Sequence, residues 1–241
     1  MKRIYMYFIV FTLVFSTTFS FHIAPTFFEK RIDGPGGYQE FTLYNNTTHT
    51  QRFKVEFHES SGNFKGSSHT WTEYSPKIVT IKPKSQSIVK VFMKAPKETL
   101  EGEYSTYINF KTIPVPELKD EKDNVIQAAN KLILNVSLEI VGYVGDLKPN
   151  LEIKDLKVKS GEKAENQVEF KVLNKTLKRG IYMTVRVIEN NENFESYEIG
   201  RVGANSERDV TITLKNIKKS NVKGIQIIET TSGDELIKKV I

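Results

Sequence analysis

Residues 124–143 read Asn124-Val125-Ile126-Gln127-Ala128-Ala129-Asn130-Lys131-Leu132-Ile133-Leu134-Asn135-Val136-Ser137-Leu138-Glu139-Ile140-Val141-Gly142-Tyr143. Every even position from Ile126 to Ile140 is apolar except Asn130, while Gln127, Lys131, Asn135, Ser137 and Glu139 occupy odd positions. A period of two places one row on each face of an extended chain, so the segment reads as a half-buried strand. A single strand of this length runs more than about 50 Å at about 3.3 Å per residue. It overshoots a sandwich, leaving part of its apolar row without a partner inside the molecule. The same residues also admit two shorter strands, or a helical turn over Gln127–Lys131 followed by a strand.

The same grammar extends to both sides. Phe41 and Leu43 alternate before Asn45; Phe53, Val55 and Phe57 alternate with Lys54 and Glu56; Val89, Val91 and Met93 precede Ala95-Pro96. Val79 and Ile81 lead into Lys82-Pro83, and Tyr104, Thr106, Ile108 and Phe110 alternate before Ile113-Pro114. Turn clusters such as Asp33-Gly34-Pro35-Gly36-Gly37 and Ser60-Ser61-Gly62-Asn63 separate the runs. Short strands at this spacing predict a sandwich, because each has one face to bury and a second sheet covers it. Gly142, Gly145-Asp146 and Lys148-Pro149 read as a break and linker. Beyond them Leu151 and Ile153, then Leu156 and Val158 after a shift of phase, open a second set. Val168-Phe170-Val172, Ile181-Met183-Val185-Val187, Val210-Ile212-Leu214 and Ile225-Ile227 complete it. The expectation is all-β, two tandem immunoglobulin-like β-sandwich domains, over residues 21–144 and 147–241.

Residues 1–20 are expected to lie outside that fold. Lys2 and Arg3 precede an apolar run from Ile4 to Phe15 broken only by Thr12, and Ser16-Thr17-Thr18-Phe19-Ser20 follows. This is the pattern of a cleaved signal peptide, and the run is shorter than the roughly 20 residues a spanning helix needs. No cysteine follows it as a site for a lipid anchor, and no later segment reads as a membrane span, so a soluble exported chain is expected. With no cysteine anywhere, the chain rests on its hydrophobic cores and thiolate metal sites are ruled out. Of the net charge of +6, Lys2 and Arg3 account for two. The remaining lysines are interspersed with Glu and Asp, a solvated surface rather than a nucleic-acid footprint.

Motifs for chemistry are missing. His22, His49, His58 and His69 form no H-E-x-x-H pair, and neither a nucleophile elbow nor a phosphate loop nor an acidic calcium loop is present. Glu117, Asp120, Glu121 and Asp123 sit in a polar loop. Neither an enzyme nor a cofactor or metal is expected. Trp71, the sole tryptophan, reads as a core anchor in preference to a surface contact.

Several motifs in order resemble the N-terminal domain of PapD-like periplasmic chaperones of chaperone–usher pilus assembly. They are Ala24-Pro25-Thr26, Tyr44-Asn45-Asn46, Ser75-Pro76, Ile81-Lys82-Pro83-Lys84, Tyr107–Pro114, and Asn124-Val125-Ile126-Gln127 after a polar loop. The resemblance spans most of residues 22–143. It implies that a strand of the first domain completes an unfinished pilus or fimbrial subunit in the periplasm, with an outer-membrane usher as a further partner. The matching donor row is Ile126, Ala128, Asn130 and Leu132. It also implies an Arg–Lys pair that anchors the subunit's terminal carboxylate. Alignment places Phe27 where the Arg is expected, and Asn135 or, with a gap, Glu139 where the Lys is expected. Arg31 and Lys131 are the displaced candidates. An unfilled donor strand is an open edge, for which a self-capping homodimer is a natural free state. A structural or adhesive surface protein is the alternative function.

Overall fold

The computed structural model describes residues 21–115, 133–160, 166–190 and 193–241. The expected signal peptide, 1–20, the expected donor row Ile126, Ala128, Asn130 and Leu132, and the anchor candidate Lys131 lie outside them. The described chain is strand, apart from loops and two single 3-10 turns, at His69–Trp71 and Lys219–Asn221. It folds as two β-sandwiches.

In the first sandwich, one sheet holds β1 (Phe21–Ala24), β3 (Gly37–Asn45), β8 (Ser85–Met93) and β6 (Thr72–Ser75), in the order β1-β3-β8-β6. The facing sheet runs β2 (Glu29–Arg31), β10 (Asn135–Val144), β9 (Gly102–Thr112), β4 (Gln51–Glu59) and β7 (Ile78–Ile81), with β5 (Gly66–Ser67) beside β9. The first run of sequence thus divides: β1 pairs with β3, and after Pro25 the chain crosses to pair β2 with β10. Between the sheets the alternating apolar rows meet. Phe41, Leu43, Phe53, Val89, Val91, Ile108, Phe110 and Ile140 are buried there. Trp71 packs on the margin of this core, its ring 4.8 Å from that of Tyr104.

The second sandwich pairs β11 (Leu151–Ser160), β12 (Asn166–Asn174) and β15 (Ser206–Thr213) in one sheet. The other runs β14 (Phe194–Val202), β13 (Ile181–Ile188), β16 (Gly224–Glu229) and β17 (Glu235–Val240). Val168, Val172, Ile181, Met183, Val185, Val187, Ile225 and Ile227 fill its core. The phase shift in β11 is a bulge: pairing with β12 slips between Lys154 and Lys157, and Asp155 adopts φ 52°. One extra residue there re-aims Leu156 and Val158, which pack against the core.

Each sandwich closes a corner with the same device. Asn45, ending β3, is buried; its Nδ2 donates to the carbonyls of His49 (2.8 Å), Ile81 (3.1 Å) and Lys82 (3.1 Å), while Oδ1 accepts from Thr47 N (3.0 Å) and Oγ1 (2.6 Å). Asn174, ending β12, donates to Arg179 O (2.8 Å) and Gly203 O (2.9 Å) and accepts from Thr176 N (3.0 Å). A short amide satisfies loop carbonyls that leave the sheet at a buried point, where an unpaired one is costly.

Gly142 corrects the sequence reading. It does not break the strand: β10 runs through it to Val144, pairing it with Tyr104 and Lys30. Its role is space. A Cβ there would lie 2.6 Å from Ile32 Cγ2 and 2.8 Å from Met93 Sδ, both in fully buried side chains. The chain leaves the first sandwich only after Val144. Among the described residues no helix is long and apolar enough to cross a membrane.

Two substitutions test this packing. Gly142→Ala is expected to cost about 1–3 kcal/mol by overpacking. Asn45→Ala, which strands three carbonyls, is expected to cost about 2–3 kcal/mol. Urea unfolding of each variant measures both.

Candidate functional site

β10 carries the site. Thr112 N donates to Leu134 O at 2.9 Å, so even residues exchange hydrogen bonds with β9. Odd residues therefore turn N–H and C=O toward the other edge. Val141 N duly donates to Phe28 O (3.0 Å), and Tyr143 O accepts from Ile32 N (2.9 Å). But β2 reaches only Val141–Tyr143. Along Asn135, Ser137 and Glu139 the edge meets no described strand.

The side chains of the same strand divide by face. Ile140 is fully buried in the first core, and Leu138, Val136 and Leu134 follow it half-buried. The apolar row is thus less covered from Leu138 to Leu134 than at Ile140, and Ile133, on the other face, is 63% exposed. The row's continuation in sequence is Leu132, Asn130, Ala128 and Ile126, outside the described residues.

The opposite face of this sheet meets the second sandwich. Register places Glu29 beside Val141, and Glu103 beside Tyr143, on that face. Here the structure brings together a cluster that no sequence spacing indicated. Arg179, immediately before β13, bonds Glu229, and its Nη2 lies 3.3 Å from Glu29 Oε1. Nη1 donates to Leu147 O (3.0 Å), and the guanidinium carbon sits 4.0 Å from the Tyr143 ring centroid. Tyr182 N donates to Glu29 Oε2 at 2.9 Å. Alongside, Glu103 bonds Arg201 and accepts from Gly180 N at 2.7 Å. The only local sign of this in the sequence is a charged Arg179-Gly180 entering an otherwise apolar strand.

Burial pushes the Glu29 carboxyl up to about 7, against the pull of the Arg179 guanidinium and the Tyr182 N–H. One buried arginine faces two buried carboxylates, so the second negative charge lacks a full counter-charge.

Arg31, one sequence candidate for an anion anchor, lies beside this cluster and away from Asn135–Glu139. It is on the wall of a cavity of about 460 Å³ at the junction, with Lys30, Asp146, Lys148 and Ser232. Its guanidinium is held bidentately by Asp33 at 2.7 and 2.8 Å. It stands opposite Tyr143, at the far end of β10 from the open edge. Lys131 lies outside the described residues. Phe27 stacks on Tyr182 at 4.8 Å, and Asn135 and Glu139 both lie on the open stretch of β10. Among the described residues no group of three His, Asp or Glu is placed to hold a metal.

No family model and no curated protein matches the sequence. Solved structures do. One is the Escherichia coli chaperone DraB, at 13% identity over 92% of this chain and 96% of that one, TM-score 0.44. Another is the Pseudomonas aeruginosa CupB2 chaperone, at 12% identity over 91% and 100%, TM-score 0.46. A third is the Salmonella enterica complex of the SafA pilin with the SafB chaperone, at 12% identity over 94% and 98%, TM-score 0.46.

Glu29 makes stability depend on pH with a definite sign. Its folded pKa stands above the ordinary carboxylate value, so its contribution is complete at about pH 4.5 and is lost as pH rises through about 7. Stability is expected to fall between about pH 4.5 and 7 and to level off above, no more steeply than about 1.4 kcal/mol per pH unit for one proton. Glu29→Gln should flatten that slope in thermal unfolding followed across the range.

Proposed function

We propose that the chain is a divergent PapD-like periplasmic chaperone, which captures an incomplete pilus or fimbrial subunit by adding a strand at the β10 edge. The observation that carries this reading is the stretch Asn135–Glu139, which meets no described strand and is flanked by an apolar row whose burial falls from Ile140 to Leu134. An unpaired edge offers main-chain hydrogen bonds, and alternate side chains offer contacts to an unfilled core. In this reading Ile126, Ala128 and Leu132 extend the row into the subunit, each large aliphatic contributing about 1.5–3 kcal/mol on burial. The clustered charges at the junction hold the two sandwiches in one arrangement around the edge. Such work needs no reactive group, in keeping with the absence of a catalytic motif.

Two variants test it. Ile126→Asp with Leu132→Asp is expected to leave the fold intact and to reduce co-purification of the subunit from periplasmic extract at least about tenfold. Ser137→Pro removes one N–H from the open edge without touching the β9 ladder, and should weaken capture in the same assay. Recovery of the subunit in undiminished amount with both variants would remove the reading.

A further inference from the structure

Glu139 stands where the open edge of β10 meets the cleft between the sandwiches. As an odd residue it turns its backbone groups to the edge and its side chain to the outer face. Ser60 Oγ donates to Glu139 Oε1 at 2.6 Å. The turn that delivers Ser60 passes so near that a Cβ on Gly62 would lie 3.1 Å from that same oxygen, and 2.7 Å from the Phe64 ring. The carboxylate is thus held from one side. Oε2 has no hydrogen-bond or ion-pair partner among the described residues.

The surroundings suit a cation and not an anion. Phe27 and Tyr182 stack on each other at 4.8 Å on this side of the junction. The Tyr182 phenol is pushed up chiefly by burial, against the pull of the Arg201 guanidinium, and Glu29, Glu139 and Glu103 add to the rise. The two arginines of the junction are already engaged, Arg179 by Glu29 and Glu229 and Arg201 by Glu103. A strand added at β10 places one of its residues directly beside Glu139, with Cβ atoms about 4.5–5.5 Å apart on the same face. A terminal carboxylate arriving there meets a like charge, whereas an ammonium or guanidinium finds a carboxylate oxygen with no partner among the described residues.

We propose that Glu139 selects strands carrying Lys or Arg at the position beside it, so that the client is anchored in the cleft by a basic side chain. This rests on the strand-addition reading of β10.

The test uses the full chain and two end-blocked peptides of alternating Val and Thr, long enough to span Asn135–Ile140. They differ only in Lys or Glu at the central polar position. Fluorescence anisotropy at physiological salt is expected to show the Lys peptide binding the wild type about threefold to fivefold more tightly. Glu139→Gln should erase that preference and Glu139→Lys should reverse it. Equal binding of both peptides to the wild type and to Glu139→Lys would overturn the proposal and leave strand addition standing. Failure of both peptides to bind any of the three proteins, or binding that Ser137→Pro leaves unchanged, would remove strand addition and the proposal with it.

Discussion

Each backbone N–H and C=O in a sheet needs a partner, and among the described residues β10 finds one along its whole length on one side only. The β9 ladder takes the even residues along the whole strand, whereas β2 takes the odd ones only from Val141 to Tyr143. β2 is short because the chain has just crossed from the other sheet at Ala24-Pro25 and turns away again at Asp33-Gly34. The rest of the molecule is organised around this partial cover. The apolar row of β10 is buried where two sheets close over Ile140 and is less covered from Leu138 to Leu134. The odd residues turn their side chains to the outer face, toward the second sandwich at Val141 and Tyr143, and their backbone groups to β2 where it is present and to no described strand where it is not.

The domain junction follows from the same register. Because Glu29 pairs beside Val141, its carboxylate is turned toward the second sandwich, where Arg179 and Glu229 meet it. Buried ion clusters cost desolvation that their mutual attraction only partly offsets, so they contribute more to a particular arrangement than to net stability. Here the arrangement is sensitive to removal of one proton, since a single guanidinium serves two carboxylates. The Glu103–Arg201 pair, with Gly180 N as a further donor, holds the two bodies at a second point a short distance away.

Much of the fold was legible because period-two alternation is a local property. Phe53, Val55 and Phe57, or Ile181, Met183 and Val185, announce a buried face whatever they pack against, and the shifted phase at Leu156 announced the bulge at Asp155. Strands without that contrast were not legible. β14 carries charges at every third position (Glu195, Glu198, Arg201) and a positive-φ Gly200, while β17 is an edge strand with Lys238 and Lys239 within it. Gly142 read as a breaker because a glycine's need for space looks, in sequence, like its tolerance of turns. Its reason is the Ile32 and Met93 side chains, which arrive from other strands.

The candidate site divides along the same line. The sequence by itself determined the two-faced row from Leu134 to Ile140, the scarcity of reactive chemistry and the all-β grammar, since each depends on residue type and nearest spacing. Only the tertiary structure decided which edge of β10 meets no described strand, that Arg31 is engaged by Asp33, and that Glu29 meets Arg179 across the junction. Those are facts of pairing between distant segments. A strand's own residues set which side chains share a face, but they do not say which neighbour, if any, takes its hydrogen bonds.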